Sequence, residues 1–222
     1  MSEFPEEHIF IGLTREKGYK RLVEVGVFSG TLTNRVVSIL EREQFGLERY
    51  LCVDPWQVYI DYYHRDHLAK EADPNWWEEI YKKAEYVYSI FPNIVEIMRM
   101  TSAEASAICR RENQEFDAVY IDAIHDEENI VKDVYGWLPM IRKGGMIGGH
   151  DYIKSYTPMA KALDAIFEDR INLMIVDPSR PALSYKNTAQ GGNWWVFVNN
   201  KWKKIWMERI EALYPQHIEA MK

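Results

Sequence analysis

Short apolar runs separated by longer amphipathic stretches set the pattern of this chain. Runs rich in β-branched, aromatic and aliphatic residues cover Arg21 to Val25, Tyr50 to Val53, Ile94 to Met98, Asp117 to Ile121, Gly145 to Gly148, Ile171 to Val176 and Trp194 to Val198, and each predicts a strand. Between them Thr31 to Arg42, Ser102 to Arg111, Glu127 to Ile141 and Pro158 to Phe167 carry apolar residues at helical spacing. The alternation predicts an α/β fold, a Rossmann-like doubly wound sheet of seven strands that is mostly parallel and covered by helices on both faces. The last two strands are joined by Asp177 to Asn193, a Pro-, Ser- and Gly-containing stretch without helical period, which predicts an antiparallel arrangement at one sheet edge. Lys201 to Lys222 reads as a terminal amphipathic helix.

Residues 1–222 read as one domain, since no repeat, low-complexity tract or linker divides them. One segment breaks the rhythm. Residues 55–92 form an unusually long crossover dense in aromatics, among them Trp56, Tyr59, Tyr62, Tyr63, Trp76, Trp77, Tyr81, Tyr86 and Tyr88. It predicts an extra helical pair burying its rings. Its place after the second strand also suits a lid or substrate wall, because insertions at the carboxyl ends of parallel strands overhang the ligand crevice.

Composition changes the picture mainly by exclusion. With 222 residues, 47% hydrophobic and 27% charged, the chain can bury a sizeable core, and disorder and coiled coil are excluded. No apolar run is long enough for a membrane helix, and MSEFPEEHIF has neither a basic nor an apolar export region, so a cytoplasmic protein with no membrane partner is expected. A net charge of −7 disfavours a nucleic-acid partner. Cys52 and Cys109 lack metal-site spacing and are expected as reduced structural thiols. Nothing in the composition specifies an oligomeric state.

The first strand ends in Glu24-Val25-Gly26-Val27-Phe28-Ser29-Gly30, and a helix follows at once with Thr31 or Ser29 as its expected cap. Gly26 would let a ligand approach the backbone, and Gly30 would let the helix pack closely. Phe28 stands where a dinucleotide fingerprint needs its middle glycine, so a pyrophosphate passes badly and NAD is disfavoured. Glu24 adds a negative charge that would repel a diphosphate and suit an ammonium or sulfonium ligand. Asp54, closing the apolar run Leu51-Cys52-Val53, is an acceptor-only carboxylate able to hold both hydroxyls of a ribose. Asp122 and His125 follow the fourth strand, and His150 and Asp151 follow the fifth, so these two carboxylates and two imidazoles are expected to converge. Such a set could bind a divalent ion that acidifies a hydroxyl, or supply a metal-free general base from His125 or His150.

Taken in order, Glu24-x-Gly26-x-x-x-Gly30, Asp54, Thr101-Ser102-Ala103-Glu104, Phe116 to Asp122 with His125, and Lys143 to Tyr152 resemble class I S-adenosylmethionine-dependent methyltransferases over about residues 20–200. Within them the chain most resembles the small bacterial O-methyltransferase-like group related to cephalosporin-hydroxylase and macrolide-sugar methyltransferase proteins. The resemblance implies S-adenosyl-L-methionine held by Glu24, Gly26, Phe28, Ser29 and Gly30 along its methionine part. It implies further that Asp54 takes the ribose, that Ser102, Ala103 and Glu104 edge the adenine, and that Asp122 lies near the methyl group. It also implies a small-molecule acceptor carrying a hydroxyl, while the residues' own chemistry leads us to expect proton removal by Asp122, His125 or His150 and magnesium or another divalent metal at Asp122, His150 and Asp151. The sugar methyltransferases carry two adjacent acids where this chain has His150-Asp151, which weakens the metal expectation.

Two other readings compete. A nucleic-acid amino-methyltransferase would need an Asn- or Asp-Pro-Pro-aromatic motif where this chain has Ile121-Asp122-Ala123-Ile124-His125. A non-catalytic cofactor-binding protein of the same fold would keep the first-half motifs and show no transfer. An iron-dependent hydroxylase, suggested by the relatives' name, ranks below both.

Overall fold

The computed structural model describes residues 5–58, 73–152, 158–174 and 192–221. Its centre is a seven-stranded sheet of order β3-β2-β1-β4-β5-β7-β6, built from β1 (Arg21–Val25), β2 (Arg49–Val53), β3 (Val95–Met98), β4 (Phe116–Ile121), β5 (Ile141–Tyr152), β6 (Asn172–Met174) and β7 (Gly192–Phe197). The first five strands are parallel. β7 runs antiparallel to both β5 and β6, so the reversed strand lies one place in from the edge. The expected antiparallel edge is present. Most of the 177–193 connection and the last two residues of the expected Ile171–Val176 strand lie outside the described residues.

Alternation along the strands divides the core. Val23, Val25, Leu51, Val53, Val119 and Ile147 face one layer, filled by α4 (Ser102–Arg111), α5 (Glu127–Trp137), α6 (Pro158–Phe167), α7 (Asn200–Leu213) and α8 (Pro215–Ile218). Leu22, Tyr50, Cys52, Ala118, Tyr120 and Met146 face the other, filled by α1 (Pro5–Lys17), α2 (Thr31–Arg42) and α3 (Pro74–Ile90). Both cysteines are buried and free. None of the helices among the described residues is long and apolar enough to cross a membrane.

Three boundaries depart from expectation for local reasons. Helix α5 stops at Trp137, and a 3₁₀ turn at Leu138–Met140 carrying Pro139 leads into β5, which therefore starts at Ile141 instead of Gly145. Lys143 and the two glycines after it form an irregularity inside that strand, where pairing jumps from Phe116 with Ile141 to Ala118 with Met146. The terminal helix is interrupted at Pro215, whose ring cannot continue the ladder of α7. Helix α1 was not expected from the sequence, which offers a poor apolar stripe there.

Of the aromatic insertion, α3 is described and residues 59–72, with Tyr59, Tyr62 and Tyr63, lie outside the described residues. Pro74 occupies its first turn and the Asp73 side chain caps the Asn75 amide. Trp77, Ile80, Ala84 and Val87 point inward from its buried face.

The chain leaves β1 outward to β2 and β3, then returns across β1 to β4. This reversal opens a crevice at the carboxyl ends between β1 and β4, where side chains from separate loops can meet.

Candidate active site

The crevice at this switch point has a volume of about 340 Å³. Its walls come from the ends of four strands: Gly26 and Phe28 after β1, Asp54 and Pro55 after β2, Thr101 and Ser102 after β3, and Asp122 after β4. Trp77 of α3 and Asn129 and Asp133 of α5 complete it.

The turn after β1 is fixed from below and from the side. A Cβ on Gly26 would lie 2.1 Å from the carbonyl oxygen of Asp122, and its φ of +86° is one that side chains disfavour. Glycine is therefore required there by the close approach of β1 to β4. At Gly30 a Cβ would meet Ala84 of α3 at 3.2 Å, so this glycine admits the insertion helix. Gly30, in the left-handed region, is itself the α2 cap residue and no side chain caps the helix, in place of the expected Ser29 or Thr31. Ser29 and Thr31 hydrogen-bond each other instead, at 2.9 Å. Phe28 also has positive φ, +51°, and its half-exposed ring packs against Trp76 and Trp77. The Trp56 indole donates to the Phe28 carbonyl at 2.6 Å, tying the β2 loop to the same turn.

Asp54 organises this region. Its Oδ2 accepts from the Val27 and Phe28 amides at 2.9 and 3.0 Å, and its Oδ1 from the Trp56 amide at 2.7 Å. Burial raises its carboxyl above the usual range while these three donors hold it down. With Oδ2 engaged twice and Oδ1 once, the arrangement leaves acceptor capacity for one further donor, where the sequence suggested a bidentate grip on two.

Glu24 does not line the crevice. It lies in the α2-side core at 1% exposure, accepting at Oε2 from Thr33 and Tyr50, each at 2.7 Å. Burial pushes its carboxyl up to about 8, which leaves it largely neutral at pH 7. Glu104 is also turned away. It forms a capping box with Thr101, accepting from that residue's amide and hydroxyl at 3.0 and 2.7 Å. Of the expected Ser102, Ala103 and Glu104, only Ser102 faces the crevice, joined there by Thr101.

Asp133 was not anticipated from the sequence. It is 5% exposed, lines the crevice, and is pushed up to about 7 by burial, with a hydrogen bond from Ser102 and the nearby Lys132 and His125 opposing. Its signal was a single acid inside Ile130-Val131-Lys132-Asp133-Val134, one turn after Asn129 on the same helix face.

Asp122, His125, His150 and Asp151 do converge. His125 Nε2 lies 3.5 Å from Asp122 Oδ1 and 3.3 Å from Asp151 Oδ2. His150 Nδ1 lies 3.3 Å from Asp151 Oδ1 and 4.0 Å from Asp122 Oδ1. Asp151 reaches this position from a backbone with φ of +57°, a strained conformation of the kind that persists where surrounding structure enforces it. Asp122, His125 and Asp151 can each offer one donor atom within 4.8 Å of the others, so His125 and not His150 completes the tightest set. Asp122 belongs to both the crevice wall and the cluster.

Residues 23–152, more than half of the chain, match the family described as a methyltransferase domain. The chain belongs to the methyltransferase family. The fold of this methyltransferase is shared with solved O-methyltransferases. The O-methyltransferase from Bacillus cereus, solved with S-adenosylhomocysteine, is 16% identical with a TM-score of 0.54, over 89% of this chain and 82% of that one. TomG from Streptomyces achromogenes, solved with S-adenosylmethionine, is 12% identical with a TM-score of 0.57, over 88% and 80%. Podospora anserina methyltransferase PaMTH1, solved with S-adenosylhomocysteine, is 14% identical with a TM-score of 0.54, over 90% and 80%. No curated protein matches this methyltransferase in sequence. At these identities the likeness establishes the fold.

Proposed function

We propose that this methyltransferase transfers the methyl group of S-adenosylmethionine to a hydroxyl of a small-molecule acceptor. The observation that carries the reading is the double membership of Asp122, which lines the crevice and stands 3.5 Å from His125, so a ligand in the crevice abuts the acid and imidazole cluster. The residues present fit the cofactor: Gly26 and Phe28 line the turn, Asp54 has one acceptor site left for a ribose hydroxyl, and Ser102 faces the far end. The ring of Trp77 closes that space from the α3 side and helps exclude water.

The sulfonium of the cofactor is already activated, so the chain has to orient the acceptor and remove its proton. Imidazole is suited to that proton near neutral pH, and Asp122 and Asp151 on either side of His125 hold the ring and offset its charge once protonated. Asp122, His125 and Asp151 also fit a divalent ion, which would supply acidification of the acceptor hydroxyl when bound. His150 would then be the imidazole left to accept the proton. In this donor set the imidazole suits iron or zinc, and the two carboxylates suit magnesium or manganese.

The crevice of about 340 Å³ has the size for one ligand such as the cofactor, and the acceptor would sit beside it at the Asp122 and His125 cluster. The net charge of −7 argues against a nucleic-acid acceptor. The test is transfer of an isotopically labelled methyl group to a panel of phenolic, sugar and aliphatic hydroxyl compounds, with duplex and single-stranded DNA as controls. Labelled hydroxyl product is the expected result. Label on nucleic acid alone, or cofactor binding without transfer to any compound, would refute it.

A further inference from the structure

One buried polar group beside the acid and imidazole cluster, outside the crevice, is only half satisfied. Asn193 on β7 is 2% exposed. Its Oδ1 accepts from the Tyr120 hydroxyl at 2.7 Å, which fixes the direction of the amide, while its Nδ2 finds no acceptor among the described residues. An unpaired buried donor is costly, so the amide calls for an acceptor from outside the chain. Next to it, between α1 and strands β4, β5 and β7, lies a small cavity walled by Ile9, Phe10 and Leu13 of α1 together with Tyr120, Gly148 and Trp195. Its volume of about 10 Å³ admits one oxygen-sized group and no ring.

The ladder places this amide relative to the cluster. Trp194 pairs with Gly149 and Gly192 with Tyr152, so Asn193 stands opposite His150 and Asp151, where the pairing is irregular. Gly148 pairs with Tyr120 on its other side, and having no side chain it lets the Tyr120 ring reach over β5 to Asn193. The Asp122 end of β4 and Asn193 on β7 are two strand spacings apart, roughly 10 Å. One six-membered ring with an oxygen at either end, and a hydrogen bond beyond each oxygen, spans that distance. Because Tyr120 occupies the amide oxygen, the open side of Asn193 offers only donors and selects a group that accepts. Asp122 and Asp151, both facing the same imidazoles, disfavour a carboxylate in that role and leave a neutral oxygen. We propose that Asn193, oriented by Tyr120, donates a hydrogen bond to a neutral oxygen on the far side of the acceptor from the hydroxyl that is methylated, and so selects ring compounds carrying oxygen at both ends. This inference rests on the hydroxyl-transfer reading above.

The experiment uses the full chain with S-adenosylhomocysteine and two probes of matched shape, hydroquinone and 4-methylphenol. The side-chain amide signals of Asn193 are identified in a proton–nitrogen correlation spectrum by their loss in Asn193→Leu. Hydroquinone should shift them and 4-methylphenol should not. In the transfer assay with S-adenosylmethionine, wild type should favour hydroquinone by about tenfold in kcat/KM, and Asn193→Leu should bring the two probes within about twofold of each other. Tyr120→Phe, which removes only the hydroxyl that orients the amide, should lower the preference severalfold and serves if Asn193→Leu does not fold. Signals moved by neither probe, as for an amide that holds only a buried water, or moved equally by both, would overturn the assignment. Shifted signals without methyl transfer to either probe would refute hydroxyl transfer and leave the Asn193 contact standing, whereas transfer with an unaltered preference in the variants would refute Asn193 alone.

Discussion

Gly26 and Asp122 touch through their backbones: a side-chain carbon on the glycine would sit 2.1 Å from the Asp122 carbonyl oxygen. The turn proposed to receive the cofactor and the acid proposed to face the acceptor are therefore a single packed unit across the β1–β4 switch point. Gly26→Ala should destabilise the fold by about 1–3 kcal/mol from its left-handed backbone alone, with the clash adding to it. The clash must also displace Asp122. Chemical denaturation should show the loss, and any folded fraction should turn over more slowly than wild type.

Stability should fall as pH rises through neutrality. Glu24 has a folded-state value of about 8 against an ordinary 4.5, and Asp133 about 7 against 3.8, both raised mainly by burial. In each case the folded state holds its proton more tightly, so the contribution is fully present below the unfolded value and is lost as pH rises through the folded one. Between about pH 5 and 7 each group contributes a slope of up to about 1.4 kcal/mol per pH unit. Glu24→Gln should flatten its share of the decline while keeping acceptor capacity for Thr33 and Tyr50. Melting temperatures measured from about pH 5 to 8 check this, and a rise over that range would contradict it.

Much of this was legible in the chain. The strands were legible as apolar runs between helical stretches, because a parallel sheet buried on both faces needs nearly continuous hydrophobic strands. The meeting of Asp122, His125, His150 and Asp151 was readable because residues just past neighbouring parallel strands share one sheet edge. Side-chain direction was not readable in the same way. Glu24 on β1 and Glu104 in the first turn of α4 stand beside the expected loops, yet one turns into the core toward Thr33 and Tyr50 and the other folds onto Thr101. Asp133 was overlooked because a single acid on a mostly apolar helix face reads as ordinary amphipathicity; only its burial beside Ser102 distinguishes it.

Turnover and cofactor affinity should separate in the cluster variants. Asp151 touches His125 and His150 but does not line the crevice, so Asp151→Ala should lower turnover on the identified acceptor by about 10²-fold or more while changing cofactor affinity less than about threefold. Asp122→Ala should lower turnover similarly and weaken the cofactor somewhat more, since Asp122 belongs to the crevice wall. If Asp122, His125 and Asp151 work through a divalent ion, a chelator abolishes wild-type turnover and added manganese restores it. Full activity in chelator would leave the imidazole as a metal-free base, and full activity in both alanine variants would remove the cluster from the reaction.

Every role proposed for these residues depends on the crevice being a cofactor site organised by Asp54. Calorimetric titration of S-adenosylhomocysteine into wild type and Asp54→Ala tests this before any acceptor is identified. Wild type should bind one equivalent. The variant loses the acceptor for a ribose hydroxyl and leaves the Val27, Phe28 and Trp56 amides without their carboxylate, so its affinity should fall at least tenfold, roughly the effect of one charge-assisted hydrogen bond. No binding by folded wild type, or equal affinity in the two proteins, would contradict it.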